Sequence, residues 1–211
     1  MDVVSEPLLD FMAWNLGLAL IPLALACWLF HASRTRGRVW WLGVVLFVLF
    51  LPNAPYVLTD VVHFVEAVRR TPHLPLWAIT QRLIPAYVLF MFVGLQCYVV
   101  SLLLLRRYLQ REGLTRWLFG VEVFVHALCA VGIYVGRILR FNSWDVFQEP
   151  ARVLASTVQA FEARGALVHM VTNFVVLIGL CTVTRFINIA VLERWQRTRW
   201  TMAEGKRCWE E

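Results

Sequence analysis

The run LIPAYVLFMFVGLQCYVVSLLLL, residues 83–105, is the feature that most restricts what this chain can fold into. It contains no charged residue over 23 positions. About 20 apolar residues suffice to cross the hydrocarbon core of a bilayer as an α-helix. A soluble helical protein would have to hide such a run entirely inside its core, whereas a bilayer accommodates it directly. The run therefore predicts a membrane-spanning helix.

The composition of the whole chain agrees with this prediction. The 211 residues are 60% hydrophobic and 16% charged, with a mean hydropathy of +0.64. Soluble domains are about 45–50% apolar and about 25% charged. The apolar residues are grouped into long runs, near residues 9–30, 39–65, 83–105, 117–140 and 166–185. We therefore predict an all-α, polytopic transmembrane helical bundle of about five spans, a single integral-membrane domain over residues 1–211.

The basic residues predict the orientation of the bundle. The net charge is +6, but the arginines flank apolar runs, which is typical of membrane orientation rather than of nucleic-acid binding. In a five-span topology one side of the membrane carries 13 Lys and Arg residues and the other side carries seven. The positive-inside rule places the larger number in the cytoplasm. We therefore expect the N-terminus outside and residues 193–211 as a basic cytoplasmic tail.

Cysteine and histidine spacing gives no sign of a metal centre or a cofactor. The five cysteines form no Cys-x-x-Cys pair, and no Cys/His group has zinc-site spacing. The chain also lacks the nucleophile-elbow, zincin, Walker and dinucleotide-binding signatures. We therefore predict no metal site and no cofactor, and an enzymatic activity stays open.

The stretch PNAPYVLTD, residues 52–60, interrupts the second apolar run. Only 13 residues, Val39 to Leu51, precede it, which is about 20 Å of helix. The hydrocarbon core is about 30 Å thick, so the chain reaches Pro52 while it is still inside the membrane. Proline lacks a backbone donor and clashes with the preceding turn. We therefore predict a second span broken between Pro52 and Pro55, with Asn53 as the N-cap of the restarted helix.

The restarted helix carries a polar stripe. Tyr56, Thr59, Asp60 and His63 are spaced i, i+3, i+4 and i+7, which places them on one helical face. The other positions from 57 to 65 are apolar. Polar groups in a membrane need partners, so we expect this face to meet protein or water rather than lipid.

A second polar motif, GRILRFNSWD at residues 136–145, follows the fourth apolar run. At 100° per residue, Glu122, His126, Arg137 and Arg140 fall within about 60° of one another on a helix that continues through Arg140. Charged side chains at membrane depth normally face the bundle interior and find partners there. Since the second and fourth spans run in the same direction, both motifs are expected at the same outer end.

Two pairs inside the fourth run have structural interpretations of their own. Glu122 and His126 lie one helical turn apart, which is typical of a buried hydrogen-bonded pair and also compatible with a proton path. Gly132 and Gly136 have the small-xxx-small spacing that favours close helix packing.

Residues 151–163 predict a short amphipathic helix. Leu154, Val158 and Phe161 fall on one helical face, and polar residues occupy the opposite one. Such a helix suits the outer membrane interface, or alternatively the surface of the bundle.

Together the two motifs define a candidate ligand-binding site. Its residues are Asn53, Tyr56, Thr59, Asp60, His63, Arg137, Arg140, Asn142, Ser143 and Asp145. Two arginines favour an anionic group such as a phosphate. The alternative is structural, an ion pair between Asp60 and one of the arginines that ties two helices together. A metal bound by the acids and histidines is a weaker third interpretation.

The paired motifs PNAPYVLTD and GRILRFNSWD resemble those of the bacterial integral-membrane family known as domain of unknown function 1361. The resemblance runs from the first span to the fifth. It implies a small multi-pass protein of the bacterial inner (plasma) membrane. It implies no activity, because none is established for the family.

Three functions remain compatible with the sequence. The first is binding or transport of an anionic or amphiphilic ligand, such as a lipid head group, in an outward-facing polar pocket. The second is a membrane-embedded enzyme acting on a lipid-linked substrate, with Asp60 or His63 as general base. The third is a structural or assembly subunit of a larger membrane complex. The expected partners are membrane lipids, with a homo-oligomer or a membrane-complex partner also compatible, and no nucleic acid.

Overall fold

The computed structural model describes residues 6–33, 36–70 and 75–207, and within these ranges the chain is helical without any β-strand. The α-helices in chain order are α1 (Glu6–Ala26), α2 (Arg38–Phe50), α3 (Asn53–Tyr56), α4 (Val61–Arg70), α5 (Leu76–Ala78), α6 (Ile84–Arg111), α7 (Leu118–Arg137), α8 (Asp145–Gln148), α9 (Pro150–Glu162) and α10 (Arg164–Arg207). Cys27–Ala32 and Ile79–Leu83 are π-helical, and Val57–Asp60 and Thr115–Trp117 are 3₁₀-helical.

Among the described residues, five helical stretches are long and apolar enough to cross a membrane, which confirms the predicted number of spans. They are Leu8–Ala32, Arg38–Arg69, Leu76–Arg111, Thr115–Arg137 and Gly165–Arg194. Large apolar side chains such as Trp14, Phe119 and Val175 are exposed on these stretches, as expected for surfaces in contact with lipid.

Helix α6 lies at the centre of the bundle and packs against α1, α3, α7 and α10. Its glycine, Gly94, allows the interrupted second span to approach closely. A Cβ atom at this position would lie 2.9 Å from the Val57 Cβ and 3.1 Å from the Ala54 carbonyl oxygen. The absence of a side chain therefore places the polar motif of the second span directly against the central helix.

The predicted break in the second span is confirmed at Leu51–Pro52, between α2 and α3. The Ala54 N–H bonds to the Leu51 carbonyl at 3.2 Å, which leaves the Phe50 carbonyl without its usual backbone donor. The Asn53 amide supplies that donor at 3.0 Å. The expectation that Asn53 acts as an N-cap is therefore wrong. It is the first residue of α3, its side chain makes no N-cap bond, and it satisfies the end of the preceding helix instead.

The fourth span ends earlier than the sequence pattern predicts. Helix α7 stops at Arg137, and Arg140 has a φ of +59°, in the left-handed region that non-glycine residues rarely adopt. The Phe141 N–H bonds back to the Val135 carbonyl at 3.2 Å. The chain thus turns sharply after the helix. Arg140 does not continue the helical face of Arg137, contrary to the expectation from 100° spacing.

Helix α9 confirms the short helix predicted near residues 151–163. Leu154, Val158 and Phe161 are all exposed, so its apolar face points away from the bundle. That arrangement suits an interfacial helix more than a helix covering the bundle. Arg152 lies 5.7 Å from the Phe141 ring centroid, and its hydrogen bond to Glu149 raises the pKa of the guanidinium.

Helix α10 continues well beyond its apolar stretch and includes most of the predicted basic tail. Residues 193–207 of that tail are helical, and residues 208–211 lie outside the described residues.

Candidate functional site

Arg137, the last residue of α7, joins the fourth span to the polar stripe of the second. Its guanidinium forms an ion pair with Asp60 Oδ1. Its Nε and Nη2 donate to Thr59 Oγ1 at 3.0 and 2.5 Å. Its Nη1 donates to His63 Nε2 at 3.0 Å, since a guanidinium can only donate. The same group lies 4.5 Å from the centroid of the Tyr56 ring.

The stripe forms because the chain is helical on both sides of the 3₁₀ turn Val57–Asp60. The Thr59 hydroxyl donates to the Tyr56 carbonyl at 2.7 Å, so its oxygen is directed to accept from Arg137. His63 is held from its other side by Phe11 of α1, whose ring centroid lies 4.9 Å away. Three spans therefore contribute to this network, and the prediction that the stripe faces protein holds for all four of its residues.

Asp60 is completely buried, and Arg137 satisfies only one of its two carboxylate oxygens. The other oxygen, Oδ2, has no hydrogen-bond partner among the described residues, and neither does the buried hydroxyl of Tyr87. A buried ion pair at a helix–helix contact is the structural interpretation that the sequence left open. Of the two arginines that could have formed it, Arg137 does so.

The second motif forms a turn that contacts the helix break. The Asn53 amide donates to the Ser143 hydroxyl at 2.9 Å, across 90 residues of sequence. The Asn142 backbone N–H donates to Asp145 Oδ2 at 2.6 Å, which closes the turn before α8. Asp145 therefore stabilises the loop, and Asn53 anchors it to the break.

A cavity of about 420 Å³ lies between this loop, the break, α1 and α7. Its polar lining consists of Asn15, Asn53, Tyr56, Asn142, Ser143 and Thr157. Its apolar lining includes aromatic residues and the aliphatic residues Leu18, Val48, Leu49, Leu128, Val131, Val135 and Val146. Within the described ranges no Asp, Glu, Lys or Arg residue lines it.

The predicted site residues thus divide into two neighbouring groups. Thr59, Asp60, His63 and Arg137 form the hydrogen-bonded network, and Asn53, Asn142 and Ser143 line the cavity. Tyr56 belongs to both, because its ring covers the Arg137 guanidinium and also borders the cavity. Arg140 is exposed beside the loop.

Sequence reasoning missed two features. Thr157 borders the cavity from α9, which the helical pattern alone could not indicate. Glu122 and His126 do not bond to each other. Glu122 instead accepts a hydrogen bond from Arg106 and forms an ion pair with Arg185, and His126 bonds to Tyr98 at 2.7 Å. The isolated arginine in the apolar part of α10, Arg185, was the signal that could have indicated this second cluster.

The arrangement also bears on the metal interpretation. In the part of the chain that the structure describes, no three His, Cys, Asp or Glu residues are grouped so that they could hold a metal ion. The chemistry available at the cavity is therefore hydrogen bonding from amides and hydroxyls, combined with apolar contact.

A family model described as "Protein of unknown function (DUF1361)" matches residues 14–179. The match includes both polar motifs and every residue that lines the cavity except Phe11. No curated protein and no solved structure matches the chain. The description carries no activity, so a function has to rest on the geometry of the site.

Proposed function

We propose, for a chain that belongs to the DUF1361 family of proteins of unknown function, that it binds an amphiphilic molecule in the cavity beside the helix break. The ligand class is a lipid whose head group forms hydrogen bonds. In this proposal the protein is a multi-pass protein of the bacterial inner membrane with its N-terminus outside. The cavity then lies in the outer half of the bilayer.

The observation that supports this proposal is the mixed chemistry of the cavity lining. The break and the 142–143 turn contribute amides and hydroxyls, and α1, α2 and α7 contribute aliphatic residues. The volume of about 420 Å³ falls within the ~300–1,000 Å³ typical of ligand pockets. An amphiphile satisfies both kinds of lining, because its head can bond to the amides while its chain covers the apolar residues.

The charged residues act around the cavity rather than inside it. The Arg137 guanidinium already bonds to Asp60, Thr59 and His63. Its role in ligand binding is therefore to hold the Tyr56 ring in position at the cavity wall. Arg140 is exposed two residues before Asn142 and is available to an anionic part of the head group. Binding therefore requires no displacement of the buried ion pair.

Binding agrees with the geometry better than catalysis does. A general base must reach its substrate directly or through one water molecule. Asp60 is completely buried and paired with Arg137, so it would first have to lose that partner. The paired carboxylate is better suited to fixing the cavity wall than to accepting a proton.

A cavity-filling substitution tests the proposal. Val135→Trp places an indole in the cavity, so we expect native mass spectrometry of the purified protein to show loss of a co-purifying lipid. Val176→Trp is the matched control, because Val176 is exposed on α10 and borders no described cavity. Asn142→Leu removes a head-group donor but no hydrogen bond of the protein's own side chains, and it should weaken lipid retention without filling the cavity.

Equal lipid retention by wild type, Val135→Trp and the control would contradict the proposal. Thermal unfolding of each variant in the same detergent verifies that the comparison is between folded proteins.

A further inference from the structure

A second charged cluster lies at the end of the bundle away from the helix break. One oxygen of Glu122 of α7, Oε1, lies between two arginines. Arg106 of α6 donates a hydrogen bond to it at 2.8 Å, and Arg185 of α10 forms an ion pair with it at 3.0 Å. Glu122 and Arg137 are separated by 15 positions on one helix, which is about 22 Å along the axis. The cluster is therefore separate from the site described above.

A cavity of about 220 Å³ adjoins this cluster between α7 and α10. Its polar residues are Glu122, His126, Thr182 and Arg185. Phe119 and Phe186 also line it, and both are exposed to the surroundings of the bundle, at 80% and 69%. Since these exposed rings lie on candidate membrane-spanning stretches, we expect the cavity to open towards the hydrocarbon region.

The histidine in this cavity is held in a fixed position. His126 is 5% exposed, and its Nδ1 lies 2.7 Å from the hydroxyl of Tyr98 on α6. The T-shaped contact between the two rings, at a centroid distance of 5.6 Å, orients the imidazole further. The cavity is therefore lined by α7 and α10, and α6 holds two of its lining residues, Glu122 and His126, in place through Arg106 and Tyr98.

The charges of the cluster do not balance. Two arginines and one glutamate leave one net positive charge, and in the described ranges neither arginine has another acidic partner. An uncompensated charge at membrane depth is costly unless it meets a counter-ion. Basic pockets between transmembrane helices are suited to the phosphate of an anionic lipid.

We propose that the cavity between α7 and α10 binds the phosphate group of an anionic phospholipid. Arg185 supplies the positive charge, and the Thr182 hydroxyl supplies a further donor at the same wall. The acyl chains leave the cavity between Phe119 and Phe186. Glu122 positions Arg185 and lowers the net charge of the site. This inference does not depend on the proposed function, because it concerns a different cavity and a different head group.

Opposite charge changes within the cluster provide the test. Purified protein is exchanged into nanodiscs of phosphatidylcholine containing phosphatidylglycerol, and retained lipid is counted by native mass spectrometry. Arg185→Gln should reduce retention of phosphatidylglycerol by about fivefold, since one basic residue near anionic lipid contributes about that factor. Glu122→Gln should increase retention, because it removes the only negative charge of the cluster. A general loss of folding cannot produce that increase.

Arg116→Gln is the matched control. It removes one exposed positive charge at the same end of the bundle but outside the cavity, so retention should not change. Equal retention of phosphatidylglycerol and phosphatidylcholine by the wild type would overturn the proposal, whatever the variants do. Inorganic phosphate alone is titrated in a thermal-unfolding assay. If inorganic phosphate stabilises the wild type as much as phosphatidylglycerol does, and Arg185→Gln abolishes this stabilisation, then free phosphate is the ligand. That result would overturn the assignment to a lipid.

Discussion

At the residue scale, the arrangement of the site depends on one guanidinium with several partners. Arg137 bonds to Thr59, Asp60 and His63 and stacks on Tyr56. Arginine suits this position because its planar fork can donate in several directions while its face covers an aromatic ring. The result is a network that holds the second and fourth spans together and leaves the cavity wall uncharged.

Removing one partner of the buried pair should be strongly destabilising. We expect Asp60→Asn and Arg137→Gln each to lower the free energy of unfolding by about 3–5 kcal/mol, because each leaves an uncompensated charge or orphaned donors inside the bundle. The double variant should lose less than the sum of the two single losses. Chemical unfolding in detergent micelles measures all three values.

The control for this cycle is Glu112→Gln, which breaks the exposed pair with Arg36. It should leave the free energy of unfolding nearly unchanged, because exposed ion pairs contribute little to stability. Strictly additive losses for Asp60 and Arg137 would mean that the two side chains are not energetically coupled.

At the element scale, close approach between the break and α7 places the two motifs side by side. A Cβ atom added to Gly132 would lie 2.7 Å from Pro52, and one added to Gly136 would lie 3.1 Å from the Tyr56 ring. The small-xxx-small spacing in the sequence therefore corresponds to a real contact, and its partner is the interrupted helix.

Gly132→Ala should accordingly destabilise the bundle by about 1–3 kcal/mol through overpacking against Pro52. Gly120→Ala is the matched control in the same helix, because a Cβ there meets nothing within 4 Å. It should be neutral or stabilising by up to about 1 kcal/mol, since alanine has the higher helix propensity. If both variants had the same unfolding midpoint, the tight contact at Pro52 would be refuted.

Much of the architecture could be predicted from local patterns. The spans follow from apolar length, the break from the prolines, and the stripe on residues 56–63 from the helical period. The position of Arg140 could not be predicted in this way, because nothing in the residue spacing indicates that α7 ends at Arg137 or that Arg140 adopts a positive φ. The role of Asn53 could not be predicted either, because it depends on which backbone carbonyl the break leaves without a donor. The three-dimensional structure determines that carbonyl, and the sequence pattern does not indicate it.

At the scale of the whole molecule, polar groups are concentrated at the two ends of α7 and are of different kinds. The end near the break has a neutral, amide-rich cavity beside a buried ion pair, and the opposite end has a smaller cavity beside a cluster of two arginines and one glutamate. The surface between them is largely apolar. This distribution fits a protein that contacts lipids at both ends through different chemistry.

A high-resolution structure of the protein in lipid nanodiscs tests most directly whether the larger cavity holds an amphiphile. We predict elongated non-protein density in the cavity, with a polar end within hydrogen-bond distance of Asn142 and Ser143 and an apolar end along α1 and α7. A cavity that contains only ordered water, or that is closed by its own side chains, would contradict the account.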